Sequence, residues 1–270
     1  MIVAFLYSGS LILVITGVST SLSSFYSDLN EVVDIDSSAS CLQLPTYPFK
    51  IHSASGGVIN GSPMVCGGYK GGLGPKVESS CYSHDKGLNI WKQHAIMNQA
   101  RYLHASVVID NSLWVTGGGY QAGNGLDTFK STEFVHGNGT VTMGPDLPTP
   151  RYGHCIVTLQ DGKVMVIGGD PTYQDVLVFD QSNNGFTSGP SLLERRQSSA
   201  CTLFYSPLHG NRPIVLAAGH SGSTTAEIYD YTITNEWEKS MYLFIKQEFL
   251  FLQCTAMAPF TNYFLKFVIC

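Results

Sequence analysis

Residues Lys163 to Gly169 read Lys-Val-Met-Val-Ile-Gly-Gly, an apolar run typical of a buried strand that ends in two glycines. The same pattern occurs at three other places, and the steps from residue 67 to 117, to 168 and to 218 are 50, 51 and 50 residues. A fixed period of this length, made of short strands and turns, indicates a β-propeller. The repeat glycines are Gly67, Gly68, Gly117, Gly118, Gly168, Gly169 and, where the pair reads Ala218-Gly219, Gly219.

Each repeat has the pattern of four short antiparallel strands. In the second repeat we predict them at 104–110, 112–117, 129–135 and 139–143. In the third, Asp161-Gly162 lies between two apolar-polar alternating runs, which is a strong hairpin signal. The sequence thus predicts an all-β fold with four recognisable blades, at 51–100, 101–150, 151–195 and 196–239, in an incomplete or open ring.

The two ends of the chain differ from the repeats. The nearly continuous apolar run at 2–18, followed by small residues, predicts a secretory signal peptide over 1–22, with 23–50 as a lead-in to the first blade. A short membrane anchor or a buried strand is the alternative for this run. Residues 240–270 lack the repeat pattern, and we expect them to form no regular blade. The last blade would then expose an unpaired strand edge, which favours self-association.

The charge and cysteine content limit the cellular location and the partners. The net charge is −5 and no run of five or more basic residues occurs, so nucleic acid is not an expected partner. Seven cysteines fit an oxidising compartment, and Asn138-Gly139-Thr140 is a glycosylation sequon. Asn60 heads a second sequon, a poorer one because Pro63 follows it. We therefore expect a secreted glycoprotein with no contact with a membrane beyond its signal peptide.

The repeats resemble those of the kelch family over residues 51–239. The resemblance rests on the Gly-Gly strands, aromatic residues in the third strand, a tryptophan in the fourth strand of two repeats, and arginine-bearing connectors between blades. The aromatic and connector residues are Tyr82, Phe134, Phe179, Tyr229, Trp91, Trp237, Arg101-Tyr102, Arg151-Tyr152 and Arg196. Kelch domains are propellers that mostly serve as platforms for protein partners, so the resemblance implies a binding module without catalysis. Cys66 and Cys81 resemble the cysteines of secreted members.

Two cysteine pairs are candidates for disulfides. Cys66 and Cys81 lie on consecutive predicted strands, where facing Cβ atoms come within bridging reach, and two buried thiols are the alternative. Cys155 and Cys201 occupy equivalent first strands of neighbouring blades. A bridge there would join two blades, but strands of different blades can also lie too far apart.

Loops after the glycine pairs and connectors between blades should open on one face, which is the predicted partner-binding surface. Its candidate residues are Tyr69, Arg101, Tyr102, Tyr120, Arg151, Tyr152, Tyr173, Arg195, Arg196 and His220. Tyrosine and arginine dominate binding hot spots, and an acidic or aromatic-rich partner would suit them. The alternative is that the arginines pair with carboxylates inside the blades.

Nothing in the sequence identifies catalytic residues, a cofactor or a metal. His104 and His154 are fifty residues apart, and we interpret them as structural, since a metal needs further ligands nearby. The alternative functional hypothesis is a fragment of a propeller enzyme, carbohydrate-active or similar to galactose oxidase, that lacks its catalytic blades. A truncated product without function is a third possibility.

Overall fold

The computed structural model describes residues 45–70, 76–122, 125–220 and 223–240, together with the strand backbone of 3–8, 11–15, 30–34 and 42–43. Apart from one 3-10 turn at Pro207–His209, its regular elements are strands. In chain order they are β1 (Val3–Ser8), β2 (Leu11–Ile15), β3 (Asn30–Asp34), β4 (Leu42–Gln43), β5 (Ile51–His52), β6 (Ser55–Ile59), β7 (Ser62–Cys66), β8 (Tyr69–Lys70), β9 (Ser80–Asp85), β10 (Ile90–Ile96), β11 (Ala105–Ile109), β12 (Ser112–Thr116), β13 (Gly119–Ala122), β14 (Gly125–Thr128), β15 (Thr132–His136), β16 (Val141–Met143), β17 (Cys155–Thr158), β18 (Val164–Ile167), β19 (Val176–Asp180), β20 (Gly185–Ser188), β21 (Ala200–Ser206), β22 (Arg212–His220), β23 (Ser223–Tyr229) and β24 (Glu238–Lys239).

These strands form a propeller of four-stranded antiparallel sheets. The sheets have the orders β1-β2-β3-β4, β6-β7-β9-β10, β11-β12-β15-β16, β17-β18-β19-β20 and β21-β22-β23-β24. Their first strands contact one another in the sequence β1, β6, β11, β17, β21. Each sheet therefore starts next to the first strand of its neighbour and extends outward from a shared axis. The all-β propeller prediction is confirmed, and each of the four repeats contains one four-stranded antiparallel sheet.

Tight turns join the first two strands of the first three repeats, and a longer connection with a 3-10 turn at Pro207–His209 joins those of the fourth. In the second repeat Ile109 pairs with Ser112, and the two residues between them, Asp110 and Asn111, have φ angles of +44° and +58°. Positive φ at both central residues matches the right-handed twist of the flanking strands, and aspartate and asparagine tolerate it better than most residues. The local sequence therefore fixes the register in which these strands pair.

Aromatic side chains fill the spaces between neighbouring blades. Trp114 is fully buried, with its ring centroid 5.7 Å from that of Phe134 in its own blade and 4.6 Å from that of Phe179 in the next. At the outer side, Trp237 Nε1 donates to the carbonyl of Pro190 at 2.9 Å, and Trp91 Nε1 donates to that of Pro45 at 3.0 Å. Burying such large rings is the main contribution of these positions to stability.

The structure also forms a four-stranded sheet upstream of the first repeat, which the repeat pattern does not predict. β1 and β2 lie within the predicted signal peptide, and β3 and β4 lie within the predicted lead-in. This arrangement corresponds to the strand alternative for the apolar run, and the signal peptide stays a prediction. The predicted irregular tail at 241–270 lies outside the described residues. Within the residues that the structure covers, no helix is long and apolar enough to cross a membrane.

Two disulfides join strands of the propeller. Cys66 on β7 and Cys81 on β9 are directly opposite, with a Cα–Cα distance of 4.0 Å. Cys155 on β17 and Cys201 on β21 belong to neighbouring blades, and their Cα atoms are 5.9 Å apart. The first strands of adjacent blades thus approach closely enough for a bridge, because both belong to the tightly packed centre of the ring.

Candidate binding site

The glycine pairs and the connectors between blades lie on one face of the propeller. In every repeat the second strand runs back toward the end at which the first began, so its terminal glycines come beside the connector that leads into the repeat. The tight turns between first and second strands lie on the opposite face. We call these the connector face and the turn face.

Arg101 couples two blades from the interior of the connector face. Its side chain is fully buried, and Nη2 lies 2.7 Å from Oε1 of the equally buried Glu133. Nη1 donates to the carbonyl of Gly117 at 2.8 Å, within the same repeat. Its own carbonyl accepts from the backbone N–H of Gly68 in the preceding repeat, also at 2.8 Å.

The other two connector arginines repeat this arrangement. Arg151 lies 2.6 Å from Asp175 and donates to the carbonyl of Gly168, and Arg196 pairs with Glu227 at 2.7 Å. Both side chains are fully buried.

This burial corrects the predicted binding surface. Arg101, Arg151 and Arg196 cannot contact a partner, and the alternative, in which they pair with blade carboxylates, describes them instead. Their burial is tolerated because a guanidinium can donate to several acceptors at once, here a glycine carbonyl and a carboxylate, in the crowded turn between blades.

The glycine pairs allow this close approach. A Cβ atom on Gly117 would lie 2.5 Å from the carbonyl oxygen of Arg151, and one on Gly118 would lie 2.7 Å from that of Tyr102. Both residues also have positive φ angles, +56° and +83°. Only glycine fits between the two successive connectors.

One residue in each connector joins a chain of backbone hydrogen bonds that runs from repeat to repeat. The N–H of Leu103 donates to the carbonyl of Ser53 at 2.9 Å, that of Gly153 to Leu103 at 2.8 Å, and that of Ser198 to Gly153 at 2.6 Å. All four residues have φ between +55° and +62°. The chain of bonds fixes the backbone where the connectors of successive repeats meet, and we call this part of the connector face the mouth.

The residue before each member of this chain sits at the mouth. These residues are His52, Tyr102, Tyr152 and Gln197. Tyr102 exchanges two backbone hydrogen bonds with Gly119, and Tyr152 exchanges two with Asp170, each at 2.9–3.1 Å. His52 pairs in the same manner with Tyr69 in the β5-β8 ladder. The residue after each of the first three glycine pairs is thereby held at the mouth as well.

The aromatic rings at the mouth contact one another. His52 stacks on Tyr69 with ring centroids 5.2 Å apart, and Tyr69 meets Tyr102 edge to face at 5.3 Å. Burial raises the pKa of Tyr102, and the neighbouring Tyr69 and Tyr152 raise it further. Burial lowers the pKa of His52 to about 4, so its imidazole is neutral at pH 7. The result is an arc of half-buried, uncharged aromatic groups.

The carboxylate of Asp170 lies at one end of the arc. Asp170 accepts a hydrogen bond from the Tyr173 hydroxyl, and burial together with Asp170 raises the pKa of Tyr152. The exposed Arg195 guanidinium lies 3.9 Å from the centroid of the Tyr173 ring. Pairwise contacts along the mouth therefore link five of the candidate residues, Tyr69, Tyr102, Tyr152, Tyr173 and Arg195, without the buried arginines.

Other predicted residues lie elsewhere. Tyr120 is 40% exposed on the β13-β14 hairpin, and the side chain of His220 lies outside the described residues. His154 is buried and hydrogen-bonded to the Thr116 hydroxyl at 2.8 Å, and His104 is buried at the equivalent position. Among the residues that the structure describes, no three His, Cys, Asp or Glu side chains are grouped to hold a metal ion.

The two sequons lie on the turn face, beside a shallow cleft of about 560 Å³. Asn138 is exposed, and its Oδ1 accepts hydrogen bonds from the backbone N–H and the hydroxyl of Thr140 at 3.0 and 2.7 Å. Asn60 is engaged instead with Asn111, which donates to its Oδ1 at 2.7 Å.

Sequence reasoning missed His52, Asp170 and Gln197. A signal existed for the first, since His52 and Tyr102 are 50 residues apart and thus in step with the repeat. Asp170 directly follows a glycine pair, and Gln197 follows Arg196 as Tyr102 follows Arg101. The positions of these three residues at the mouth depend on packing between different repeats, and the sequence of a single repeat does not show that packing.

Comparisons with known proteins support the fold. No family model matches the chain, and no curated protein matches it in sequence. It is similar in structure to YjhT, with a TM-score of 0.72 and 14% sequence identity over 90% of this chain and 84% of that one. A likeness at this identity concerns the fold alone.

Proposed function

We propose that the chain is a secreted kelch-type propeller that binds a protein partner through the mouth and catalyses no reaction. The observation that carries the proposal is the arc of half-buried tyrosines, which the backbone bonds between connectors hold in place. Tyrosine offers a large rigid contact surface with a polar end, and a preorganised rim loses little entropy on binding. The two disulfides are compatible with an extracellular location.

Capture of a partner by matched tyrosine variants tests this proposal. The immobilised full chain would be exposed to extracellular fluid of its source, and captured proteins would be compared between wild type, Tyr102→Ala with Tyr152→Ala, and Tyr205→Ala. Tyr205 contacts Gln160 on the turn face and provides the control. We expect the double variant to lose a partner that wild type and control retain. Equal capture by all three would contradict the assignment of the mouth.

The enzymatic alternative has a direct test. Wild-type protein would be incubated with added copper and with simple sugars and alcohols, and product formation would be followed. We expect no turnover above the protein-free control. Turnover that depends on the folded chain would replace the binding proposal with the alternative of a propeller enzyme.

A further inference from the structure

The charge balance of the mouth differs from the one that the sequence suggested. The three connector arginines are internal and paired with carboxylates, so they do not contribute positive charge to the surface. Lys70 lies near the mouth but is paired with Glu78 at 2.6 Å. His52 is neutral at pH 7. Of the four arginines predicted for the binding surface, Arg195 alone is exposed, and its guanidinium lies against the Tyr173 ring, so the basis for an acidic partner is much reduced.

The groups that remain are suited to a cation. Tyrosine rings carry negative charge density on their faces, and Tyr69, Tyr102, Tyr152 and Tyr173 all lie at the mouth. Arg195 already shows the preferred geometry, since its guanidinium lies 3.9 Å from the centre of the Tyr173 ring. Tyr102 and Tyr152 are partly exposed, so their rings offer a partner's cation the same kind of contact.

Asp170 supplies the opposite charge. Its backbone is fixed by two hydrogen bonds with Tyr152, and its carboxylate accepts from the Tyr173 hydroxyl. A carboxylate held among aromatic rings can receive a charge-assisted hydrogen bond from an ammonium or a guanidinium. The protein as a whole carries a net charge of −5, which also favours approach of a cationic partner.

We propose that the mouth binds a lysine or arginine side chain presented by the partner, with the cation against the tyrosine faces and within reach of Asp170. This inference rests on the proposed function, because it names the chemistry of the group that the binding module accepts. It replaces the acidic partner that the sequence suggested.

Small probes test the charge preference without knowledge of the partner. The full chain, with fluorotyrosine incorporated, would be titrated with Nα-acetyl-arginine amide and with Nα-acetyl-citrulline amide, its uncharged isostere. We expect the arginine probe to shift the signals of the mouth tyrosines saturably, with at least tenfold tighter binding than citrulline. Signals would be assigned with Tyr102→Phe and Tyr152→Phe. Equal binding of the two probes, or tighter binding of Nα-acetyl-aspartate amide, would overturn the inference.

Variants identify the groups responsible. Asp170→Asn keeps the shape and should weaken binding of the arginine probe at least fivefold, while binding of citrulline stays unchanged. Tyr102→Leu should also weaken binding of the arginine probe. Tyr102→Phe keeps the ring face, so the affinity for the arginine probe should stay as in wild type. Asp161→Asn removes an exposed carboxylate on the turn face and is the control. An Asp170→Asn variant that folds as wild type and binds arginine equally well would contradict the assigned role.

The two proposals can fail separately. If the arginine probe binds at the mouth but no partner is captured, the interaction function fails and the cation site stands. If a partner is captured through Tyr102 and Tyr152 but the probes bind equally, the function stands and the cation inference fails.

Discussion

At the scale of single residues, the connector arginines show that the burial of a side chain does not follow from its residue type. Arg101 and Arg195 both belong to connectors and have the same side chain, yet Arg101 is fully buried and Arg195 is exposed. The sequence predicts both as surface candidates because arginine is common in binding sites. The difference arises because Glu133 of the same repeat meets Arg101 in the interior.

The first prediction concerns this difference. Arg101→Leu should destabilise the protein by about 3–5 kcal/mol, since it leaves Glu133 buried without its charge partner. Arg195→Leu should cost less than about 1 kcal/mol, because the contacts of this exposed side chain with Tyr173 are made at the surface. Urea denaturation of both variants measures the difference. Similar stability losses would contradict the assigned roles.

A second prediction separates the two sequons. Protein made through a secretory route should carry a glycan on Asn138, whose amide is exposed in an open turn. Asn60 should stay unmodified because its side chain packs against Gly137 and Asn111 of the neighbouring repeat. Glycosidase treatment with mass spectrometry would detect the modified site, and Asn138→Gln should abolish it. A glycan on Asn60, or none at all, would contradict this expectation.

At the scale of elements, the glycine pair and the connector form the joint between blades. A strand pattern alone explains why residues 112–116 are extended, but not why two glycines must follow. The reason is the approach of two connectors, which leave no space for a Cβ atom. Each joint combines a glycine carbonyl, an arginine side chain and a carboxylate, so neighbouring blades are coupled by the same few contacts throughout the repeats.

Two glycines with nearly equal φ angles allow a matched test of that joint. Gly118 has a φ of +83° and would place a Cβ against Tyr102 and His104, whereas Gly162, with a φ of +80°, has open space. Gly162→Ala should cost about 1–2 kcal/mol through backbone strain alone. Gly118→Ala should cost an additional 1–3 kcal/mol, roughly, through overpacking. Equal costs, measured by denaturation, would show that space at the joint is not limiting.

The two disulfides should differ in their contribution to stability. The Cys155–Cys201 bridge closes a longer loop than Cys66–Cys81, with sequence separations of 46 and 15 residues. In the chain-entropy model, its loss should cost about 4 kcal/mol, against about 3 kcal/mol for the shorter loop. Thermal unfolding of the two double cysteine-to-alanine variants measures this order. A reversed order would indicate that native-state packing, rather than loop length, determines their contribution.

At the scale of the whole molecule, burial at the ring centre couples folding to pH. Burial and the nearby Arg101 lower the pKa of His104 to about 3, and burial with Arg151 lowers that of His154 well below its usual value. As pH falls below about 6.5, the unfolded chain binds protons that the folded chain does not, so stability decreases down to the folded pKa. Above about pH 6.5 both histidines are neutral in the folded and the unfolded chain, so they leave stability unaffected.

The corresponding prediction is a loss of about 2 kcal/mol from His104 alone between pH 7.5 and pH 5. His104→Gln cannot take up this proton in either state, so its stability should decline by about 2 kcal/mol less than that of wild type over the same interval. Urea denaturation at the two pH values measures both proteins. Identical declines would show that protonation of His104 does not contribute.

The sequence determined the repeat, the strands and the tight turns of residues 51–239, because these depend on local patterns of apolar residues, glycine and turn-forming side chains. It also placed the tyrosines on one face, since the direction of alternate strands follows from the hairpins. The tertiary structure decided which arginines are buried, added the sheet of β1 to β4, and brought His52 and Asp170 into the mouth. These features arise where residues from different repeats meet around the axis, so their physical cause is packing between distant parts of the chain.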